Sequence, residues 1–432
     1  MKHKMWISFL IVLAIVVTGG CARGADTGSA SNGQANSAAE QGDRNESGQT
    51  SESDTSSHET NDSQPIDPVL EQLNQLTTAE KIGQLVLVGM DGTTANANTK
   101  ELIDKYHVGG FIFYKDNIKD SEQTLKLINQ LKSNNKSAKI PLFLSIDEEG
   151  GRVTRLPGEL VKAPSAGKIG AAGKVDAGSE IGALIGRQLS GFGLNMDFAP
   201  VLDINSNPNN PVIGDRSYGD NADIVSQMGI AVMKGLSKEG IIPVVKHFPG
   251  HGDTSVDSHI GLPVIEHNMD RLRKLELVPF QHAIAEGADV VMIAHLLLPK
   301  LDPDHPASFS KTIIHDLLRE ELGFEGVVIS DDMTMGAITE NYNVDEAAIE
   351  FLLAGGNIVL VGHEYSKEKA VIEAIEQAVE AGEISEETLN SRVYDVLKLK
   401  AKYGLHGESA AGPDVKSINK QLQSVLDKYG VK

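Results

Sequence analysis

The stretch Val244-Val245-Lys246-His247-Phe248-Pro249-Gly250-His251-Gly252-Asp253-Thr254-Ser255-Val256-Asp257-Ser258-His259 begins as an apolar run and ends as a polar loop. Its first residues have the make-up of a strand, and its glycines and proline bend the chain beyond that strand. Similar runs recur, so strands are predicted at 84–90, 109–114, 141–147, 195–204, 244–250, 289–297, 326–332 and 357–362. Each is short and almost continuously apolar, as parallel strands covered on both faces are. Amphipathic helical patterns separate them, among them 121–134, 223–238, 270–286 and 367–381. Eight strands alternating with helices predict an α/β fold, a (β/α)8 barrel in a single catalytic domain. A doubly wound sheet is the alternative, but no Gly-rich dinucleotide fingerprint follows the first strand.

Polar residues sit where a barrel needs them. Asp147, Asp203, Lys246, His247, His295, Asp331 and His363 fall at or just after the C-terminal ends of predicted strands. In a barrel those ends converge on one active-site face. After the last strand, helical patterns at 367–381 and 385–403 close the barrel, which spans 67–405. The tail 406–432 is polar, with a short helix around 415–429.

Four segments carry the chemistry. In the opening stretch, His247, His251 and His259 with Asp253 and Asp257 admit a zinc site, a proton-transfer pair, or plain turn capping. In the second reading Asp257 raises the pKa of His259, which becomes a general acid near neutral pH. In Ser330-Asp331-Asp332-Met333 two adjacent carboxylates would repel if both were buried side by side. One therefore enters the barrel mouth as a nucleophile and the other caps the following segment, or both cap. In Asp147-Glu148-Glu149-Gly150-Gly151-Arg152-Val153-Thr154-Arg155, Arg155 joins Asp147 in a hydroxyl-binding rim. The loop 210–217 brings Arg216 to the same mouth, unless either arginine serves a surface ion pair.

Composition narrows the classes. Over 432 residues, 60 acidic groups outnumber 39 Lys and Arg, for a net charge of −21. A nucleic-acid binder would need a basic stripe instead. One cysteine excludes a disulfide framework and any multi-cysteine metal site. The balance of 43 glycines against 5% aromatics suits an enzyme with many tight turns.

The first 66 residues differ from the rest. Lys2 and Lys4 precede an apolar run, 5–17, too short to span a bilayer, so 1–20 reads as a secretory signal. Cys21 lies at the cleavage point of a lipobox-like sequence, with Thr18 where an aliphatic residue is usual. Lipidation there would anchor the protein at the extracytoplasmic face of the cell membrane. Residues 21–66 are rich in Ser, Asn, Gly and acids and read as a solvated tether. Processing would also remove Trp6, the only tryptophan, so any sugar-stacking platform must use Tyr, Phe or His.

Together these segments resemble the family 3 glycoside hydrolases, in particular their bacterial β-N-acetylglucosaminidase branch. The matching elements are Asp147-Glu148-Glu149-Gly150-Gly151, Asn195-Met196-Asp197-Phe198-Ala199-Pro200, Val212-Ile213-Gly214-Asp215-Arg216-Ser217, the run 246–259 and Ser330-Asp331-Asp332-Met333. The resemblance implies a single-domain barrel with Asp331 as nucleophile, His259 as acid/base and Asp257 as its partner. It gives Asp147, Arg155, Arg216, Lys246, His247 and Asp203 to the hydroxyls of a terminal N-acetylglucosamine. It implies a retaining mechanism without metal or other cofactor, acting on peptidoglycan fragments. The alternatives are a β-glucosidase or xylosidase, a glycoside phosphorylase, and a non-catalytic sugar-binding lipoprotein.

Overall fold

The computed structural model describes residues 67–258 and 260–431. The chain divides between Asp62 and Ser63, and every described residue belongs to the second unit. The predicted signal, Cys21 and the tether lie outside the described residues, as does His259. No helix among the described residues is long and apolar enough to cross a membrane.

Eight strands alternate with helices: β1 (Val86–Val88), β2 (Gly110–Phe113), β3 (Phe143–Ile146), β4 (Met196–Asp197), β5 (Ile242–Phe248), β6 (Val290–Ile293), β7 (Val327–Ser330) and β8 (Val359–Val361). All pairs are parallel, in the order β7-β6-β5-β4-β3-β2-β1-β8. An Ile329–Ile358 bridge joins the two ends and closes the barrel. Every strand residue is buried, because side chains on one face fill the interior and those on the other meet the helices. At the base, the buried Lys400 ammonium donates to Gln84 Oε1 (2.7 Å) and to the carbonyls of Gly109 (2.9 Å) and Pro141 (2.8 Å). These bonds tie the helix Glu386–Lys402 to the N-terminal ends of the early strands.

The helices start where the sequence offers a cap. Asp120 accepts the N–H of Gln123 at 2.8 Å to open Ser121–Asn134, and Asn221 accepts that of Ile224 at 3.1 Å to open Ala222–Lys238. The helix expected over 270–286 is two helices, Met269–Lys274 and Val278–Ala285. Pro279 has no N–H to give, and its ring would clash with the carbonyl of Leu275 in a continuous helix.

The polar tail is firmly part of the body. Val415–Tyr429 is a helix packed on Val175–Phe192 through buried Ile418 and Leu422. Asn419 accepts the Val161 N–H and donates to the Glu159 carbonyl, both at 2.8 Å.

Candidate active site

The strand C-termini surround a cavity of about 310 Å³. That is the lower end of the roughly 300–1,000 Å³ range of ligand pockets, a space for one sugar ring rather than a chain. Asp147, the residue after β3, and Lys246, within β5, meet at 2.6 Å on its wall. Three residues beyond Asp147 the chain reverses at Gly150 and Gly151, whose φ values of +84° and +57° suit glycine. Just before the reversal Glu149 points into the barrel, where Oε1 lies 2.8 Å from Lys246 Nζ and both oxygens take the Arg216 guanidinium, at 2.7 and 2.8 Å. Burial would raise the Glu149 pKa, but Arg216 and Lys246 outweigh it and hold the carboxyl far below the usual range. Glu149 is therefore a fixed anion that positions two cations.

The next carboxylate along, Glu148, accepts the N–H groups of Arg155 (2.8 Å) and Leu156 (3.2 Å) and so pins the segment that presents Arg155. The Arg155 side chain lines the cavity, with Nε buried and without a hydrogen-bond partner.

Asp203 differs from its expected place. It does not contact the cavity: it is fully buried behind His247, accepting Nδ1 at 2.6 Å and the His251 N–H at 2.7 Å. Regular pairing of β4 ends at Asp197, and the chain returns to β5 through a bond from Leu202 N–H to the Lys246 carbonyl, which turns Asp203 inward. Its charge orients the His247 ring, and that ring lines the cavity.

The loop after β5 is held by its own side chains. His251 pairs with Thr254 Oγ1 (2.8 Å) and Ser258 Oγ (3.3 Å), and Asp253 with His267 (2.6 Å). Burial and the neighbouring His247 pull the His251 pKa down to about 4, so its ring is neutral at pH 7. Ser258 lines the cavity, and its carbonyl accepts the Ala337 N–H at 3.0 Å. The segment carrying Asp257 is thereby clamped beside the chain that follows β7. Among the described residues no three His, Cys, Asp or Glu gather as metal ligands do.

Asp331 follows β7 directly and lines the cavity. Burial would raise its pKa, but His295, His247, the Asp332 N–H and Lys246 together lower it, so the carboxylate is ionised. Asp332 turns away. Its Oδ1 accepts the N–H groups of Thr334 and Gly362, both at 2.9 Å, and its Oδ2 accepts the Tyr114 hydroxyl at 3.0 Å. His295 lies beneath, its ring bonded to Ser308 Oγ (2.8 Å) and the Asp332 carbonyl (3.0 Å).

Asp147, Arg155, Arg216, Lys246, His247 and Asp331 thus share one cavity, and Asp203 supports it from behind. The sequence alone does not reveal the roles of Glu149 and Tyr114. Tyr114 ends a predicted strand, the position that singles out Asp147, but its ring reads there as part of the apolar run.

A closed barrel with an ionised carboxylate and a cluster of buried charges around one cavity at the strand C-termini is the arrangement of an enzyme active site. The family model of the glycosyl hydrolase family 3 N terminal domain matches residues 77–399, and the chain belongs to that family. It is 35% identical over 335 residues to β-hexosaminidase LpqI of Mycobacterium tuberculosis, covering 75% of this chain and 83% of that protein. It is 37% identical over 336 residues to β-hexosaminidase A of Pseudoalteromonas piscicida, covering 72% of this chain but only 56% of that protein's length. Among solved structures, the family 3 β-N-acetylglucosaminidase of Paenibacillus sp. str. FPU-7 superposes with a TM-score of 0.78 at 41% identity, covering 82% of this chain and 69% of that one.

Proposed function

We propose that this protein is an exo-acting, retaining β-N-acetylglucosaminidase with Asp331 as nucleophile and His259, charged through Asp257, as acid/base. The observation that carries the reading is the ionised Asp331 in a one-sugar cavity that Asp147, Lys246, Arg155 and Arg216 also line. The relatives named β-hexosaminidase support an N-acetylated hexose.

The reaction follows from this arrangement. An Asp331 oxygen attacks the anomeric carbon while protonated His259 gives its proton to the departing glycosidic oxygen. Neutral His259 then takes a proton from water, which attacks the glycosyl-enzyme, frees Asp331 and restores the β configuration. Lys246 and Arg216 hold the terminal sugar's hydroxyls and are themselves held by Glu149.

Peptidoglycan fragments ending in N-acetylglucosamine are the substrate this reading favours, because the signal-like 1–20, Cys21 and the tether would hold the enzyme against a cell wall. The test is to follow the purified protein by NMR on nitrophenyl β-N-acetylglucosaminide and β-glucoside. The expected result is fast release of β-N-acetylglucosamine before mutarotation, with little action on the glucoside. The reverse preference would favour the glucosidase reading.

A further inference from the structure

Two aromatic rings stand together where the cavity opens. Tyr114, just after β2, and His363, just beyond β8, stack with centroids 4.4 Å apart and planes 25° from parallel. Only β1 separates their strands, so closure of the barrel brings together residues that are distant in sequence. Asp332 fixes the pair: Oδ2 accepts the Tyr114 hydroxyl at 3.0 Å and lies 3.7 Å from His363 Nε2. Burial, then Asp332, pushes the Tyr114 pKa well up, so the hydroxyl remains a donor. At Gly362 a side chain would collide with the Tyr114 hydroxyl and the Asp332 carboxylate, so only glycine lets the stack form.

Exposure sorts the cavity by depth. The side chains of Lys246, Arg216 and Asp147 are 3%, 12% and 17% exposed, whereas that of His363 is 56% exposed. The other rings on the wall, Phe198, His247 and His251, are all buried. On the N-acetylglucosaminidase reading the terminal sugar would fill the closed end, and the sugar it is linked to would extend past the open end.

We infer that His363, backed by Tyr114, is the stacking platform for the pyranose that departs as the leaving group. The inference rests on the N-acetylglucosaminidase reading and assigns its outer site. A pyranose presents a face of C–H groups with slight positive charge, which suits the electron-rich face of an aromatic ring. With no tryptophan beyond Trp6, this pair is the exposed aromatic surface on the cavity wall among the described residues. Tyr114 and Asp332 hold the imidazole in place before substrate arrives, so little ordering is left for binding.

The test compares the protein with its His363→Ala and His363→Phe variants on di-N-acetylchitobiose. Free N-acetylglucosamine serves as an inhibitor that fills the inner site. His363→Ala is expected to raise KM for the disaccharide about fivefold to tenfold, with inhibition by N-acetylglucosamine nearly unchanged. His363→Phe is expected to recover most of the loss, because a ring face is enough. An unchanged KM in His363→Ala would overturn the inference. So would a matching loss of N-acetylglucosamine inhibition, which would put His363 in the inner site, or a Phe variant no better than Ala. Failure of the unmodified protein to cleave any N-acetylglucosaminide would overturn the underlying reading as well. Normal cleavage with an unaffected Ala variant would overturn this inference alone.

Discussion

The backbone N–H of Asp332 donates to Oδ1 of Asp331 at 2.8 Å, and the two adjacent carboxylates then part company. Both border the cavity. The Asp332 carboxylate is enclosed by the N–H groups of Thr334 and Gly362 and by the Tyr114 hydroxyl, tying the ends of β7, β8 and β2 together.

That division predicts different outcomes for the two residues. Asp331→Ala is expected to lower kcat by about four orders of magnitude with the thermal midpoint little changed. Asp332→Ala is expected to destabilise the fold by about 2–4 kcal/mol, and Asp332→Asn by less, because an amide keeps one acceptor oxygen. Thermal melts and kcat on the same preparations separate them. A mechanism-based fluoro-sugar that labels Asp332 instead of Asp331 would reverse the assignment.

Glu149 joins Lys246 and Arg216, and all three side chains are largely buried. Glu149→Gln would leave two buried cations short of their counter-ion, at a cost of about 3–5 kcal/mol. Denaturant titration should show the loss together with weaker sugar binding. Unchanged stability would mean that Asp147 alone balances both cations.

The barrel and the polar residues near most of its strand ends are legible in the sequence, because both follow from local patterns: apolar runs, helical periodicity and polar side chains at the ends of six of the eight strands. Contacts between distant segments have no local signal. Glu149 meets Lys246 of β5 and Arg216 of the loop after β4 only when the barrel assembles, and Tyr114 meets His363 only when β8 closes on β1. Asp203 reads as a mouth residue because it ends an apolar run, yet β4 loses its regular pairing six residues earlier, at Asp197. The break before Pro279 is visible in the sequence, but the apolar periodicity on either side of it reads as one helix.

Glu368 provides a test of pH dependence. Burial, then Asp91, pushes its pKa from 4.5 up to about 8. The folded protein therefore holds a proton that the unfolded chain releases, and this contribution to stability is lost as pH rises from about 4.5 through 8. Glu368→Gln should melt higher than the unmodified protein at pH 8–9, by about 2–4 °C for each kcal/mol recovered, with the gap closing toward pH 5. A gap independent of pH would show that Glu368 is not the titrating group.

Anchoring has its own test. Cys21→Ser is expected to release the protein from membranes while kcat/KM of the released enzyme stays the same. Membrane association that persists in this variant would place the anchor elsewhere.

The proposed exchange of a second carboxylate for the His259–Asp257 pair is tested most directly by His259→Ala acting on dinitrophenyl β-N-acetylglucosaminide in the presence of azide. This leaving group needs little protonation, so the glycosyl-enzyme should still form and its hydrolysis should become limiting. Azide needs no general base, so it is expected to restore turnover and yield the β-glycosyl azide, while cleavage of di-N-acetylchitobiose stays severely slowed. Near-normal disaccharide cleavage by His259→Ala, or an α-glycosyl azide, would contradict the proposed mechanism.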